Sequence, residues 1–150
     1  MNNEWLHKRI LEKMDELCGW FEKESKGKYI PFYSSYDIRD SSFKMTNVDA
    51  NIYPAGFNNM CPTDKEQTPE LMKEYIEKHY PGAKKILLIS EDHLKNMYYW
   101  ENINTIQKLL KEAGYDVRIG MPSLVEQDTI ELETYLLHKV TAEKVISDGG

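Results

Sequence analysis

Cysteine is scarce: the 150 residues hold two, Cys18 and Cys61. Two cysteines cannot form a disulfide framework, and neither sits in a redox or metal-ligand spacing, so free or buried thiols in a reducing compartment are expected. Long apolar runs are also missing. No stretch approaches the ~20 residues of a membrane span, and the start, "MNNEWLHKRILEKMDE", lacks the uninterrupted apolar core of a secretion signal. Basic residues are the minority, 19 against 25 acidic for a net charge of −6. They are scattered rather than striped, which disfavours a nucleic-acid or anionic-membrane partner. Neither GxGxxG nor GxxxxGKS/T occurs, so the glycines build no phosphate loop. The expectation left standing is a cytoplasmic globular protein that contacts neither nucleic acid nor membrane.

What is present fits that class. The chain has the length of one domain, and residues 1–150 are read as a single α/β domain. Ten tyrosines, four phenylalanines and three tryptophans supply rigid groups for a core or pocket walls. Leu6, Ile10, Met14, Leu17 and Phe21 recur every three or four residues, predicting a helix within residues 1–28, from about Glu4 to Glu24. "SKGKY" and Pro31 end it. The chain is then irregular or extended to Cys61, with a strand near Phe43 to Val48. Thr68-Pro69-Glu70 reads as a helix start, with a capping hydroxyl ahead of a first-turn proline.

Residues 84–121 carry the clearest architectural signal. The apolar run Ile86 to Ile89 predicts a strand covered on both faces. A helix with Tyr99, Ile103, Ile106, Leu110 and Ala113 on one side follows, closed by Gly114. "YDVRIGM" supplies a second strand, which makes a βαβ unit. "DTIELETYLLHKV" reads as an edge or hairpin piece. The ending, "ISDGG", leaves few parallel strands, so an incomplete, mostly parallel sheet is expected.

Ligands of open α/β sheets collect where strands run into helices. Here "SEDHLKN" offers Ser90, Glu91, Asp92, His93 and Asn96. Helix capping by Ser90 or Asp92 with a surface His93 is the simpler reading of the spacing, and a metal at Glu91, Asp92 and His93 is disfavoured because adjacent side chains diverge. The four histidines are far apart, and nothing supports nucleophilic catalysis. A second polar concentration, "YSSYDIRDSSFKMTNVDANIYPAGFNN", holds Arg39 and Lys44 for a carboxylate, Asp37 and Asp49 for an ammonium, and the amides Asn51, Asn58 and Asn59. An amino-acid ligand needs that inventory, although self-satisfied turns account for the same residues. In an unbroken strand from Lys44 to Tyr53, Asp49, Asn51 and Tyr53 share a face and Lys44 points away. Only a bulge or bend brings Lys44, Asp49, Asn51 and Tyr53 together.

"YDIRDSSFKMTNVDANIYPAGFNN" followed by "ILLISEDHLKNMYYWENINTIQKLLKEAGYDVRIG" resembles the amino-terminal region of a bacterial glutamate-cysteine ligase family. Such enzymes join the γ-carboxyl of glutamate to the amine of cysteine through an ATP-derived acyl phosphate. The resemblance implies a Rossmann-like three-layer, pre-ATP-grasp-like substrate-side domain at the start of a longer enzyme. It matches Arg39, Lys44, Asp49, Asn51, Asn58 and Asn59 to one polar set and His93, Asn96, Tyr99 and Asn102 to another, all as substrate-binding positions, with no catalytic or metal-binding residue. Lys95 stands where the family suggests arginine, and "DSS" replaces a less charged stretch. The resemblance implies ATP and Mg²⁺ for the full-length enzyme but no cofactor held by this chain, glutamate or cysteine as substrate, and an ATP-grasp half in cis or in trans. A chain lacking that half is expected to be inactive alone. A non-catalytic amino-acid-binding or protein-interaction module is the alternative.

Overall fold

In the computed structural model, residues 3–41 and 43–145 are described. Met1 and Asn2 of the expected 1–28 helix, Ser42 of "DSS" and the "ISDGG" end lie outside them. The chain divides into two compact units, Met1–Pro54 and Ala55–Gly150.

The first unit holds two helices, α1 (Asn3–Glu12) and α2 (Met14–Ser25), and two strands, β1 (Ser35–Asp40) and β2 (Met45–Asn51). The expected helix from about Glu4 to Glu24 is interrupted at Lys13, whose ψ of 13° leaves the helical range and whose N–H bonds the Ile10 carbonyl three residues back. The strands form an antiparallel ribbon in which Asp37 faces Asp49 and Ile38 faces Asn47. One residue of β2, Val48, is therefore extra, which defines a β-bulge.

The second unit opens with a 3₁₀ turn at Phe57–Asn59, entered through Gly56 at φ 80°, a left-handed value that glycine adopts without strain. Next come α3 (Pro62–His79), β3 (Lys85–Ile89), α4 (Met97–Glu112), β4 (Asp116–Met121), β5 (Thr129–Glu133) and β6 (Lys139–Lys144). Helix α3 begins earlier than the Thr68-Pro69 signal suggests. Pro62 takes the first-turn position and Pro69 lies inside the helix. Thr68 does not cap; its hydroxyl donates to the Asp64 carbonyl at 2.6 Å, one turn back.

The sheet order is β3-β4-β6-β5, with β3, β4 and β6 parallel and β5 antiparallel to β6. The segment read as an edge or hairpin thus becomes the β5–β6 hairpin. Alternation along β4 sends Val117, Ile119 and Met121 inward. Ile119 and Met121 meet Trp100 and Ile103 of α4, with Leu132, Val140 and Ala142 from β5 and β6 completing this core. Each such large apolar side chain contributes roughly 1.5–3 kcal/mol by leaving water. Gly114, at φ 99°, ends α4 in the left-handed turn its position suggested.

Helix α4 packs on the sheet and α3 packs against α4. The opposite side of β3 is less covered than a strand buried on both faces requires: Leu87 and Ile89 are 52% and 44% exposed. Both lie next to Gly120 of β4.

Candidate functional site

The loop between β3 and α4 is held by its own hydrogen bonds. Ser90 is buried, and both its N–H and its hydroxyl donate to the Gly120 carbonyl, at 2.8 and 3.2 Å, tying the end of β3 to β4. Asn96, rather than Ser90 or Asp92, caps α4: its Oδ1 accepts from the Tyr99 N–H at 3.0 Å. The Glu91 N–H donates to the Tyr99 hydroxyl at 2.7 Å, and the Trp100 indole N–H donates to the His93 carbonyl at 2.9 Å. The His93 ring pairs with the Glu91 carboxylate at 2.8 Å and meets Tyr99 edge-on. An open concavity of about 650 Å³ lies along the loop, lined by Asp92, His93, Leu94, Lys95, Asn96, Met97 and Tyr98.

In the run Tyr98-Tyr99-Trp100, Trp100 belongs to the core, Tyr99 is half-buried under the loop, and Tyr98 is exposed and stacks on Tyr135. Asn102 is buried, and its Oδ1 accepts from the Phe57 N–H at 2.9 Å. That bond fastens the "GFNN" turn to α4. The turn presents Asn58 and Asn59, whose side chains bond each other at 3.3 Å, while the Asn58 carbonyl accepts from Lys65 Nζ at 3.2 Å. Helix α4 therefore organises Asn58, Asn59, His93, Asn96, Tyr99 and Asn102 within one unit.

Arg39, Lys44, Asp49 and Asn51 belong to the other unit. Cross-strand partners in a ribbon project to the same face. Asp37 pairs with Asp49, Ser35 with Asn51 and Arg39 with Thr46. Because Ser35, Asp37 and Arg39 alternate along β1, these pairings place Arg39, Asp49 and Asn51 on one face, and the bulge at Val48 brings Thr46 rather than Asn47 opposite Arg39. Asn51 donates to Asp49 at 3.4 Å, consistent with that placement. Lys44 flanks the ribbon at the turn, where its carbonyl accepts from both the N–H and the hydroxyl of Ser41. All four residues are exposed.

A buried polar cluster has no local signature in the sequence. The Glu101 carboxylate, on α4, lies 3.0 Å from His138 Nδ1, 37 residues away at the β5–β6 turn, and Asn104 and Thr134 also donate to it. Burial pushes this carboxyl up, but hydrogen bonds from Thr134, His138 and Asn104, with the charge of His138, outweigh burial and hold it below its ordinary value. Among the described residues no three His, Cys, Asp or Glu side chains gather closely enough to hold a metal ion. A Mg²⁺ site does not fit that donor set. Cys18 and Cys61 are free and exposed, and no described helix is long and apolar enough to cross a membrane.

The second unit is an α/β domain of the kind that holds ligands beyond the carboxyl ends of parallel strands, with its polar groups gathered there. The chain belongs to the glutamate-cysteine ligase family: the family model for GshA, glutamate-cysteine ligase, matches residues 7–150. It is similar to a protein from Methylobacillus flagellatus KT, provisionally named a gamma-glutamylcysteine synthetase and solved by crystallography at 1.90 Å. The two are 34% identical with a TM-score of 0.85 over 96% of this chain. The match covers 34% of that protein, so the present chain spans about a third of its length. No curated protein matches the sequence significantly.

Proposed function

We propose that this chain is the substrate-side part of a glutamate-cysteine ligase-like enzyme and that it recognises an amino-acid substrate, glutamate or cysteine. The observation that carries this reading is the pairing of the β1–β2 ribbon, which puts a guanidinium, a carboxylate and an amide on one face. Arg39, with Lys44 beside it, suits a substrate carboxylate, Asp49 suits an ammonium, and Asn51 adds a donor and an acceptor. Asn58, Asn59, His93 and Asn96 are contact groups of the second unit. Tyr99 and Asn102 act by positioning the loop and the "GFNN" turn.

In this reading the ATP-binding, ATP-grasp-like part belongs to the length of the family fold that this chain does not span, and the chain alone has no ligase activity. Its three-layer, pre-ATP-grasp-like form is completed in that longer fold. Phosphoryl activation of a carboxylate requires a metal and cationic clamp. Among the described residues no three His, Cys, Asp or Glu side chains gather for such a metal, and the contribution proposed for this chain is binding and orientation.

Titration calorimetry with glutamate, cysteine and γ-glutamylcysteine, with and without Mg-ATP, tests the proposal. Saturable binding of an amino acid that Arg39→Ala weakens roughly tenfold to a hundredfold is expected. Absence of heat with all three sink it. A non-catalytic amino-acid-binding or protein-interaction module is the second reading, favoured by the one-third coverage of the solved relative. A protein in which this chain replaces the matching third of the Methylobacillus flagellatus polypeptide separates the two, since only the first reading expects ATP-dependent formation of γ-glutamylcysteine.

A further inference from the structure

No residue with a described side chain from position 4 to 54 is buried. Trp20 and Phe21 on α2 are 61% and 58% exposed, and Ile38 and Val48 on the ribbon are 59% and 52% exposed. This unit lacks the means to stabilise its own elements. Helices of 10 and 12 residues are marginal in water without tertiary packing. A lone two-stranded ribbon is no more secure. Exposed apolar surface of this extent marks an interaction face.

We infer that α1, α2 and the β1–β2 ribbon form a docking surface for the part of a glutamate-cysteine ligase fold that this chain does not span, joined to it or supplied as a separate polypeptide. Two observations select this occupant. The family match begins at residue 7 and includes these elements, and the matched crystallised chain is about three times as long, so the fold contains a large mass with which they can pack. The surface itself is apolar, with both signs of charge interspersed: Lys8, Arg9 and Lys23 stand among Glu12, Asp15 and Glu22. Permanent interfaces have that hydrophobic character, whereas transient encounters are steered by a field of one sign.

The inference rests on the ligase-like reading above but is tested by a different quantity, amide hydrogen exchange. The 150-residue chain is compared with the hybrid in which it replaces the matching third of the Methylobacillus flagellatus protein. In the chain alone, amides of α2, β1 and β2 exchange much faster than those of α4 and β4 at every protein concentration. In the hybrid they slow by at least about tenfold. Substituting Ile38→Asp and Val48→Asp in the hybrid removes that protection and leaves α4 and β4 protected. Three results overturn the inference: a ribbon already as protected as α4 in the dilute chain, protection that grows with concentration alongside a dimer in sedimentation, or a hybrid whose ribbon stays unprotected. Loss of amino-acid binding with protection retained sinks the substrate reading and leaves the docking surface standing.

Discussion

Asn102 on α4 accepts a hydrogen bond from the backbone N–H of Phe57 at 2.9 Å, across 45 residues of chain, and both partners are buried. Truncation in Asn102→Ala leaves that N–H without its acceptor, at a cost of roughly 1–3 kcal/mol. The expected result is a lower urea midpoint with an unchanged slope, and faster amide exchange at 57–59. A midpoint equal to the parent's contradicts the bracing role.

Glu101 makes stability depend on acid. Its folded-state pKa is lowered, so its contribution is fully present above the ordinary glutamate value of 4.5 and is lost as pH falls through the folded-state value. Glu101→Gln removes the charge and brings an amide N–H₂ towards the donors of Asn104, Thr134 and His138. The variant should be less stable by roughly 1–3 kcal/mol near neutral pH, with the gap to the parent closing as pH falls below 4.5 and through the lowered folded-state value. Chemical denaturation across pH measures it. A gap independent of pH assigns the effect to packing instead.

The βαβ unit was legible because its signals are local: an apolar run, a 3.6-residue stripe and a left-handed glycine stop lie within forty residues. Helix α3 was misread at its start because Thr68 and Pro69 have capping chemistry but are used inside the helix, with the hydroxyl turned back to Asp64. The break at Lys13 was hidden by an apolar stripe that continues across it. The polar segments were visible by composition, and the need for a bulge followed from strand alternation. Its position did not, since register depends on the partner strand. Glu101 and His138 escaped notice because contact across 37 residues leaves no pattern in sequence.

Gly120 gives a prediction about the less covered side of the sheet. A Cβ built there would stand 2.6 Å from Val145 Cγ2 and 3.1 Å from Leu87 Cδ1. Gly120→Ala therefore forces two side chains to shift, and destabilisation of about 1–3 kcal/mol is expected by analogy with overpacked cores. Pairing it with Val145→Ala should recover most of the loss. A double variant no better than Gly120→Ala places the strain at Leu87 and Ile89 rather than at Val145.

Arg39 and Asp49 separate recognition from bracing. Both are exposed on one face of the bulged ribbon. Arg39→Ala should change unfolding free energy by no more than about 0.5 kcal/mol, the usual range for surface positions. It should weaken amino-acid binding by the ~1.5–3 kcal/mol of a hydrogen bond to a charged group, roughly tenfold to a hundredfold. Asp49→Asn keeps the shape and removes the charge, so it should weaken binding of a ligand with a free ammonium more than binding of its N-acetyl derivative. Deleting Val48 is a geometric control: it removes the extra residue while Asp49 stays opposite Asp37 and Asn51 opposite Ser35, on the Arg39 face, so affinity should be retained. If the deletion abolishes affinity in a ribbon that still pairs, the shared face alone is not what recognises the substrate.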